Sequence, residues 1–180
     1  MIESTNREAE FRRIYEAYYR QVAAYARRRL EEQDAQDVVA DTFLVAWRRI
    51  EDVPAGQDAL PWLYAVARRT VAQVYRSRRR RLRLTSRLMQ FVREKEQGVP
   101  HESDDNAVVH QALATLRPGD QEILRLAEWE ELEPKQLGPV LGCSANAASI
   151  RLHRAHRRFE RALQELEGQA EALGDQEQAL

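Results

Sequence analysis

The chain contains 180 residues, of which 43% are apolar, with 28 basic and 29 acidic side chains and one cysteine. This length corresponds to one large domain or two small ones. Its uncharged stretches are far shorter than the roughly 20 apolar residues of a membrane-spanning helix, so we predict no membrane span and no secretory signal. Because Cys143 has no second cysteine to pair with, we expect a reducing, cytoplasmic environment.

The net charge of −1 conceals two strongly basic segments. Residues 68–87 contain nine arginines and no acid, and residues 144–159 contain four arginines and two histidines, again without an acid. Residues 160–180 carry six acidic side chains and one basic one. Local positive fields of this kind attract polyanions whatever the total charge. A solvated helix face remains an alternative explanation for either basic run taken alone.

Three amphipathic helices are predicted in the first half of the chain. The first begins at Thr5, which forms a capping box with Glu8, and the second begins at Asp34. A third begins near Asp58 and Pro61, where proline removes no helical hydrogen bond, and runs into the arginine-rich segment. Alternation typical of strands is nearly absent, which predicts an all-α protein.

Composition divides the chain into two small helical domains joined by a linker. Residues 89–105 are acidic, poor in apolar residues and interrupted by glycine and proline, which predicts a flexible linker. Residues 166–180 form an acidic tail that we expect to fray. The predicted architecture is a three- or four-helix bundle over residues 1–88 and a second helical domain over residues 106–165.

The second domain contains a candidate helix–turn–helix motif. Residues 134–141 are predicted as its short first helix, which Pro139 shortens or kinks because proline removes a backbone donor. The turn is Gly-Cys-Ser, and Ser144 is the predicted N-cap of the second helix. The outward face of that helix is polar and basic, as required for a helix that enters a major groove. Because glycine turns also join helices in ordinary bundles, the motif alone leaves both interpretations open.

Aromatic residues and arginines are interleaved in the segment LPWLYAVARRTVAQVYRSRRRR. Trp62, Tyr64 and Tyr75 offer ring faces on which unpaired bases stack, and arginines neutralise phosphates. The alternative is that these aromatic residues belong to the core, and the segment taken alone favours that interpretation.

No cluster typical of catalysis or metal binding is found in the sequence. Asp37 and Asp41 lie one turn apart without a nearby His, Cys or Ser, which favours a docking or solvated face over acid–base chemistry. His153 and His156 lack carboxylate or thiol partners nearby in sequence, so we expect contact with solvent or DNA. Cys143 is most simply a small buried thiol. We therefore predict no enzymatic activity, no cofactor and no metal.

The motifs occur in a specific order. The chain contains DAQDVVADTFLVAW, a Pro/Gly loop, PWLYAVARRTVAQVYRSRRRR, a linker, LRPGDQEILRLAEWEEL and GCSANAASIRLHRAHRRF. In this order they resemble a bacterial sigma factor of the extracytoplasmic-function (ECF) type, which contains only conserved regions two and four. The resemblance covers residues 9 to about 165. It implies a transcription initiation factor that binds core RNA polymerase, recognises a set of promoters and helps to melt them.

The resemblance implies a role for individual positions. The second helix would bind the clamp helices of the polymerase β′ subunit through Asp37, Asp41, Phe43, Leu44 and Trp47. The melted non-template strand of the minus-ten element, with one base flipped out, would be held by Gln57, Asp58, Trp62, Arg68, Arg69, Gln73, Arg76, Arg79 and Arg80. The minus-thirty-five duplex would be read by Asn146, Ser149, Arg151, His153, Arg154 and Arg157.

This chain departs from the family pattern at four of its positions. Family members usually have Gln where this chain has Ala40, and Asn where it has Arg69. They often have a basic residue in place of Ser149 and a serine in place of Ile150. We therefore expect this chain to prefer minus-ten and minus-thirty-five sequences that differ from those of other family members.

The resemblance also implies partners and a location. The partners are core RNA polymerase, through its β′ clamp helices and β flap, promoter DNA as duplex and as melted strand, and an anti-sigma factor that covers the same surfaces. The chain would act in the cytoplasm at the nucleoid, or be held at the membrane by the anti-sigma factor without inserting. The alternative is a helix–turn–helix repressor or activator, which binds duplex DNA alone and leaves the aromatic–arginine helix unexplained. DNA binding with and without core polymerase separates the two.

Overall fold

The computed structural model describes residues 2–88 and 107–177, and their side chains over residues 6–81 and 107–168. Backbone contacts divide the chain into two compact units, Met1–Val99 and Pro100–Leu180. Over the described residues the structure is α-helical and contains no strand, which confirms the all-α prediction. The predicted linker lies outside the described residues, so its bounds and flexibility remain predictions.

The described residues of unit 1 form three α-helices: α1 (Ile2–Arg27), α2 (Glu32–Arg48) and α3 (Ala59–Leu88). Two short 3-10 turns, Ile50–Asp52 and Gly56–Asp58, connect α2 to α3. Each helix packs against the other two through an apolar stripe, because burial of those stripes is what stabilises amphipathic helices in water. The largest fully buried side chains of this core are Val22, Tyr25, Val38, Thr42 and Leu63.

Two of the predicted helix starts are wrong. Helix α1 begins at Ile2, so Thr5 lies inside it rather than at its cap. Helix α2 begins at Glu32, and Asp34 lies in its first turn, where a carboxylate is favourable to the helix dipole without capping it. Capping residues are short polar residues that also occur inside helices, so their presence alone does not locate a helix start. The predicted start of α3 is confirmed, since it begins at Ala59 with Pro61 in its first turn.

Four α-helices make up the part of unit 2 that the structure describes: α4 (Ala107–Thr115), α5 (Pro118–Glu128), α6 (Pro134–Leu141) and α7 (Ala145–Glu177). Helix α7 packs against the other three. The buried apolar side chains of the unit are Ala112, Leu113, Ile123, Leu124, Leu126, Leu132, Leu137, Val140, Ala148 and Ala155. Both helices of the predicted helix–turn–helix begin where the sequence placed them, and α7 continues beyond residue 166 as far as Glu177.

The turn between α6 and α7 is tight and depends on two glycines. Gly142 has a φ of 70°, a left-handed conformation that glycine adopts without steric cost. A Cβ atom on Gly138 would lie 2.8 Å from the Cys143 carbonyl oxygen, so only glycine fits there. The Ser144 hydroxyl accepts a hydrogen bond from the Ala147 N–H at 3.2 Å, which confirms Ser144 as the N-cap of α7. The start of α7 is therefore held by backbone geometry and a cap.

Candidate nucleic-acid interface

Helix α3 gathers five of the predicted minus-ten residues on one side. These residues, which we call the α3 stripe, are Trp62, Arg69, Gln73, Arg76 and Arg80. Their separations of seven, four, three and four residues keep them within about 60° around the helix axis. Trp62 is half-buried and the other four are exposed. Arg68 and Arg79 lie on an adjoining side of the same helix, so they do not share the stripe.

The loop before α3 places two more predicted residues at the start of that helix. Gln57 and Asp58 are exposed in the 3-10 turn, and Asp58 precedes Trp62 by one helical turn. The Tyr18 hydroxyl donates a hydrogen bond to the Gly56 carbonyl at 3.2 Å, which ties this loop to α1. The loop therefore extends the α3 stripe at its N-terminal end with neutral and acidic groups.

The corner between α1 and α2, residues 29–34, holds the arginine-rich part of α3. The Tyr75 hydroxyl donates a hydrogen bond to the backbone carbonyl of Arg29. The Arg78 guanidinium donates to the carboxylate of Asp34, and its Nη2 lies 3.9 Å from a carboxylate oxygen of Glu31. Arg78 is thus engaged within the fold, unlike the exposed arginines of the α3 stripe. We call α3 brace the hydrogen bond of Tyr75 to Arg29 and the ion pair of Arg78 with Asp34.

Helix α2 turns an acidic stripe outward. Asp37, Asp41 and Leu44 are exposed and follow each other at four and three residues, so they share one side of the helix. Phe43 and Trp47, predicted with them, lie on the side that faces α1. Phe43 is only 3% exposed, so the structure leaves it little surface for a partner.

Trp47 is covered by the N-terminal half of α1. Its ring lies 5.3 Å from the Phe11 ring, and the Arg7 guanidinium stacks on it at 5.2 Å. The same guanidinium donates a hydrogen bond to the Trp47 carbonyl oxygen at 2.8 Å, which satisfies one of the open carbonyls at the end of α2. Trp47 therefore joins α1 to α2.

An aromatic groove of about 300 Å³ lies between α1 and α2. Tyr15 and Tyr19 line it and remain 40% and 37% exposed, and the Tyr15 ring packs 4.8 Å from the Phe43 ring. At the end of this groove, Arg27 and then Gln36 donate hydrogen bonds to Glu32, and these bonds lower the pKa of its carboxyl group. This groove was not predictable from the sequence, because the periodicity of α1 does not show how far α2 covers its aromatic residues.

Helix α7 presents a polar and basic face to solvent. We call α7 face the exposed residues Asn146, Ser149, Ile150, His153, Arg154 and Arg157. Arg151 is also exposed, but it lies toward the edge of this face, where its Nη1 is 3.9 Å from the Cys143 sulfur. Five of the six predicted residues therefore lie on the face itself, and Ile150 is an addition.

The flanks of the α7 face are held by side-chain contacts with α5. On one flank, Arg158 donates two hydrogen bonds to Asp120 at 2.8 and 3.0 Å. On the other, the His156 ring nitrogen lies 3.0 Å from a carboxylate oxygen of Glu128. These two basic residues interact with α5, whereas Arg154 and Arg157 point away from the core. The basic run of α7 is thus divided between the fold and the exposed face.

A second groove, of about 310 Å³, lies behind the α7 face in unit 2. It is lined mainly by Val109, Leu113, Leu124, Trp129 and Phe159. Its apolar lining distinguishes it from the cationic face on the other side of α7. This groove was not predictable from the sequence, because helical periodicity does not show how far neighbouring helices cover an apolar side chain.

The described residues contain no group of three or more His, Cys, Asp or Glu side chains placed to hold a metal ion. Among the same residues, no helix is both long and apolar enough to cross a membrane. Cys143 is partly exposed rather than fully buried, which corrects the sequence prediction. The chemistry that the two faces offer is ionic pairing, hydrogen bonding and stacking.

Comparison with known proteins assigns each unit to a family. The family Sigma-70 region 2 matches residues 14–81, which include the α3 stripe, and Sigma-70, region 4 matches residues 107–159, which include the α7 face. The ECF RNA polymerase sigma factor BldN of Streptomyces coelicolor is 32% identical over 158 residues. The aligned part covers 85% of this chain and 60% of that relative.

Two further proteins are matched over a larger share of their own length than BldN is. The RNA polymerase sigma factor YlaC of Bacillus subtilis is 25% identical over 147 residues, which cover 79% of this chain and 85% of YlaC. The fold is similar to that of the sigma factor RpoE in its complex with the anti-sigma factor NepR from Bartonella quintana. That likeness has a TM-score of 0.63 at 22% identity and covers 86% of this chain and 96% of RpoE.

Proposed function

Since this chain belongs to the ECF family of bacterial sigma factors, we propose that its two units recognise two separate parts of one promoter while bound to core RNA polymerase. Members of this family are transcription initiation factors rather than enzymes. We assign this chain no catalytic step of its own, because polymerase joins the nucleotides.

The α3 stripe is proposed to hold the melted strand of the minus-ten element. Its alternation of one indole, one amide and three guanidinium groups on a single helix side is the observation that carries this assignment. Unpaired bases stack on aromatic rings, and each phosphate is neutralised by a neighbouring arginine. The half-buried Trp62 offers a fixed edge for a base, while Arg69, Arg76 and Arg80 follow the backbone. Arg68 and Arg79 would contact phosphates from the adjoining side.

The α7 face is proposed to read the minus-thirty-five duplex. A helix that enters the major groove contacts base edges with the residues near its N-terminus, and Asn146 and Ser149 lie in the first two turns of α7. Arg154 and Arg157 follow and offer guanidinium groups that bind guanine edges or phosphates. The fixed start of α7 supports this role, because base readout requires a defined position of the helix.

The acidic stripe of α2 is proposed as the contact with the β′ clamp helices of polymerase. Asp37 and Asp41 provide charge, and the exposed Leu44 provides apolar surface. Phe43 and Trp47 then support the stripe from the side of α1 rather than touching polymerase. We also propose that the apolar groove of unit 2 receives the β flap, since apolar grooves accept the apolar face of a partner segment.

An anti-sigma factor is proposed as a second partner, as in the complex of RpoE with NepR. The exposed Tyr15 and Tyr19 on α1 and the apolar groove of unit 2 are surfaces that such a partner would cover. We place the chain in the cytoplasm, where polymerase acts. An anti-sigma factor anchored in the membrane would hold the chain at the membrane surface. When this chain is bound to polymerase, its two weak DNA contacts would strengthen each other, because binding at one promoter element raises the effective concentration at the other.

Run-off transcription with purified core RNA polymerase and genomic promoter fragments tests this function. We expect initiation at a discrete set of sites only when the protein is added. Tight binding to duplex DNA by the protein alone, without any initiation dependent on it, would instead indicate a repressor or activator.

Two variants separate the proposed roles. Arg154→Ala should weaken recruitment to duplex promoters roughly tenfold. Trp62→Ala should leave recruitment intact but reduce strand opening by a similar factor, measured by permanganate reactivity of unpaired thymines. The matched control is Arg12→Ala, which removes an exposed arginine of α1 that belongs to neither the α3 stripe nor the α7 face. Equal loss of both steps in both variants would contradict the division of labour.

A further inference from the structure

Ile150 is a large apolar side chain at the centre of the α7 face. It is 45% exposed, whereas Ala148, two residues earlier, is fully buried. Because each residue turns about 100° around a helix axis, Ile150 lies about 200° from Ala148 and so points away from the core. The core of unit 2 therefore does not explain why an isoleucine stands at this position.

The surroundings of Ile150 are those of the proposed DNA contact. Asn146 lies one turn before it and Arg154 one turn after it, and both are exposed. Ser149 and His153 lie beside it on the same face and are exposed as well. Among the described residues of unit 2, the other large exposed apolar side chains are different, since Val108 and Val109 lie on α4 and Val109 lines the apolar groove.

The position of Ile150 along the helix is also fixed. Helix α7 begins at Ala145 behind the Ser144 cap, so Ile150 lies in its second turn, where a helix in the major groove meets base edges. An isoleucine side chain has no hydrogen-bond donor or acceptor, and it is stiff because it branches at Cβ. It therefore presents its methyl groups in one defined direction.

In the major groove, the thymine 5-methyl group is the feature of a base pair that suits an apolar contact. We propose that Ile150 contacts the 5-methyl group of one thymine in the minus-thirty-five element and thereby helps to determine which promoters are recognised. This inference rests on the proposed role of the α7 face. Loss of one such methyl contact should weaken promoter binding roughly fourfold, which corresponds to one buried methylene-sized group.

The test uses the full chain bound to core polymerase on a promoter found by the run-off assay. Each thymine of the minus-thirty-five element, on both strands, is replaced in turn by deoxyuridine, which keeps the hydrogen-bonding groups and lacks only the methyl. We expect one position at which this replacement weakens binding of the original chain roughly fourfold. At that position Ile150→Ser should bind thymine and deoxyuridine equally, and Ile150→Val should retain part of the difference.

The matched control is Val108→Ser, which replaces an exposed apolar residue of the same unit away from the α7 face and should keep the full sensitivity to deoxyuridine. The inference is overturned if no thymine position is sensitive, if Ile150→Ser remains as sensitive as the original chain, or if the element contains no A·T pair. In each of these cases a loss of recruitment in Arg154→Ala still supports the proposed function. If Arg154→Ala also binds normally, the assignment of the α7 face fails.

Discussion

The α3 stripe and the α7 face are both arginine-rich sides of long helices, but the fold holds them in different ways. Helix α7 is fixed at its start by a local turn, through the backbone geometry of Gly138 and Gly142 and the hydroxyl cap of Ser144. The arginine-rich part of α3 is held by side chains instead, through the α3 brace formed by Tyr75 and Arg78. One helix is thus positioned by a turn and the other by a hydrogen bond and an ion pair.

This difference matches the two kinds of DNA that we assign to the helices. Base edges of a duplex are rigid, so a reading helix must enter the groove at a defined angle, and backbone packing provides that. A melted strand is flexible and adjusts to a row of rings and charges, so a less strictly positioned helix is sufficient. Similar composition therefore does not imply similar mechanical requirements.

The largest expected effect on this comparison comes from Gly138→Ala. The new Cβ would lie 2.8 Å from the Cys143 carbonyl oxygen and 3.1 Å from the Ala145 nitrogen, and these backbone atoms move only if the turn opens. We expect unit 2 to lose about 1–3 kcal/mol of stability, the usual cost of overpacking, while unit 1 is unchanged. Hydrogen–deuterium exchange of the full chain, followed by mass spectrometry, reports the two units separately.

Gly119→Ala is the control for that variant. Its Cβ would meet only the Arg151 guanidinium, at an ordinary 3.8 Å. Equal destabilisation by both glycine variants would show that α7 does not depend on the tight turn.

A smaller effect is expected from Tyr75→Phe, which tests the brace of α3. The ring is kept, but the hydrogen bond to the Arg29 carbonyl is lost, which should cost unit 1 about 1 kcal/mol. Faster exchange should be confined to the later turns of α3 and to the α1–α2 corner. Tyr15→Phe is the control, because within the described residues its hydroxyl makes no hydrogen bond; similar exchange in both variants would argue against the brace.

The smallest effect is expected from the ion pair of Arg78 and Asp34. Their side chains are 38% and 30% exposed, so solvent screens the interaction, and a double-mutant cycle should give a coupling of about 0.2–1 kcal/mol. The coupling should fall as salt is added. A parallel cycle on Arg49 and Asp52, which are 54% and 55% exposed, should give less. A larger coupling energy in the more exposed pair would indicate that the Arg78–Asp34 ion pair does not stabilise α3.

Features with local signals could be predicted from the sequence. The bounds of α6, the start of α7 and its Ser144 cap depend on residues within a few positions of one another, and all are confirmed. The exposed side of α2 was predictable for Asp37, Asp41 and Leu44 because helical spacing places them together.

Features that depend on distant residues were not predictable. Arg78 pairs with a carboxylate 44 positions earlier, and no local pattern distinguishes it from its neighbours in the arginine run. The periodicity of α2 does not show that α1 covers Phe43, because burial depends on which helix packs against it. Thr5 shows the converse limit, since a capping motif is no guide when the helix continues upstream of it.

The length of α3 limits how many nucleotides of the melted strand the proposed α3 contact can span. At 1.5 Å per residue, the helix rises about 27 Å from Trp62 to Arg80. This distance equals roughly eight nucleotides at the 3.4 Å spacing of stacked DNA. On the role that we propose for the α3 stripe, a stacked strand of more than about eight nucleotides would extend past Arg80 and need a contact outside this helix.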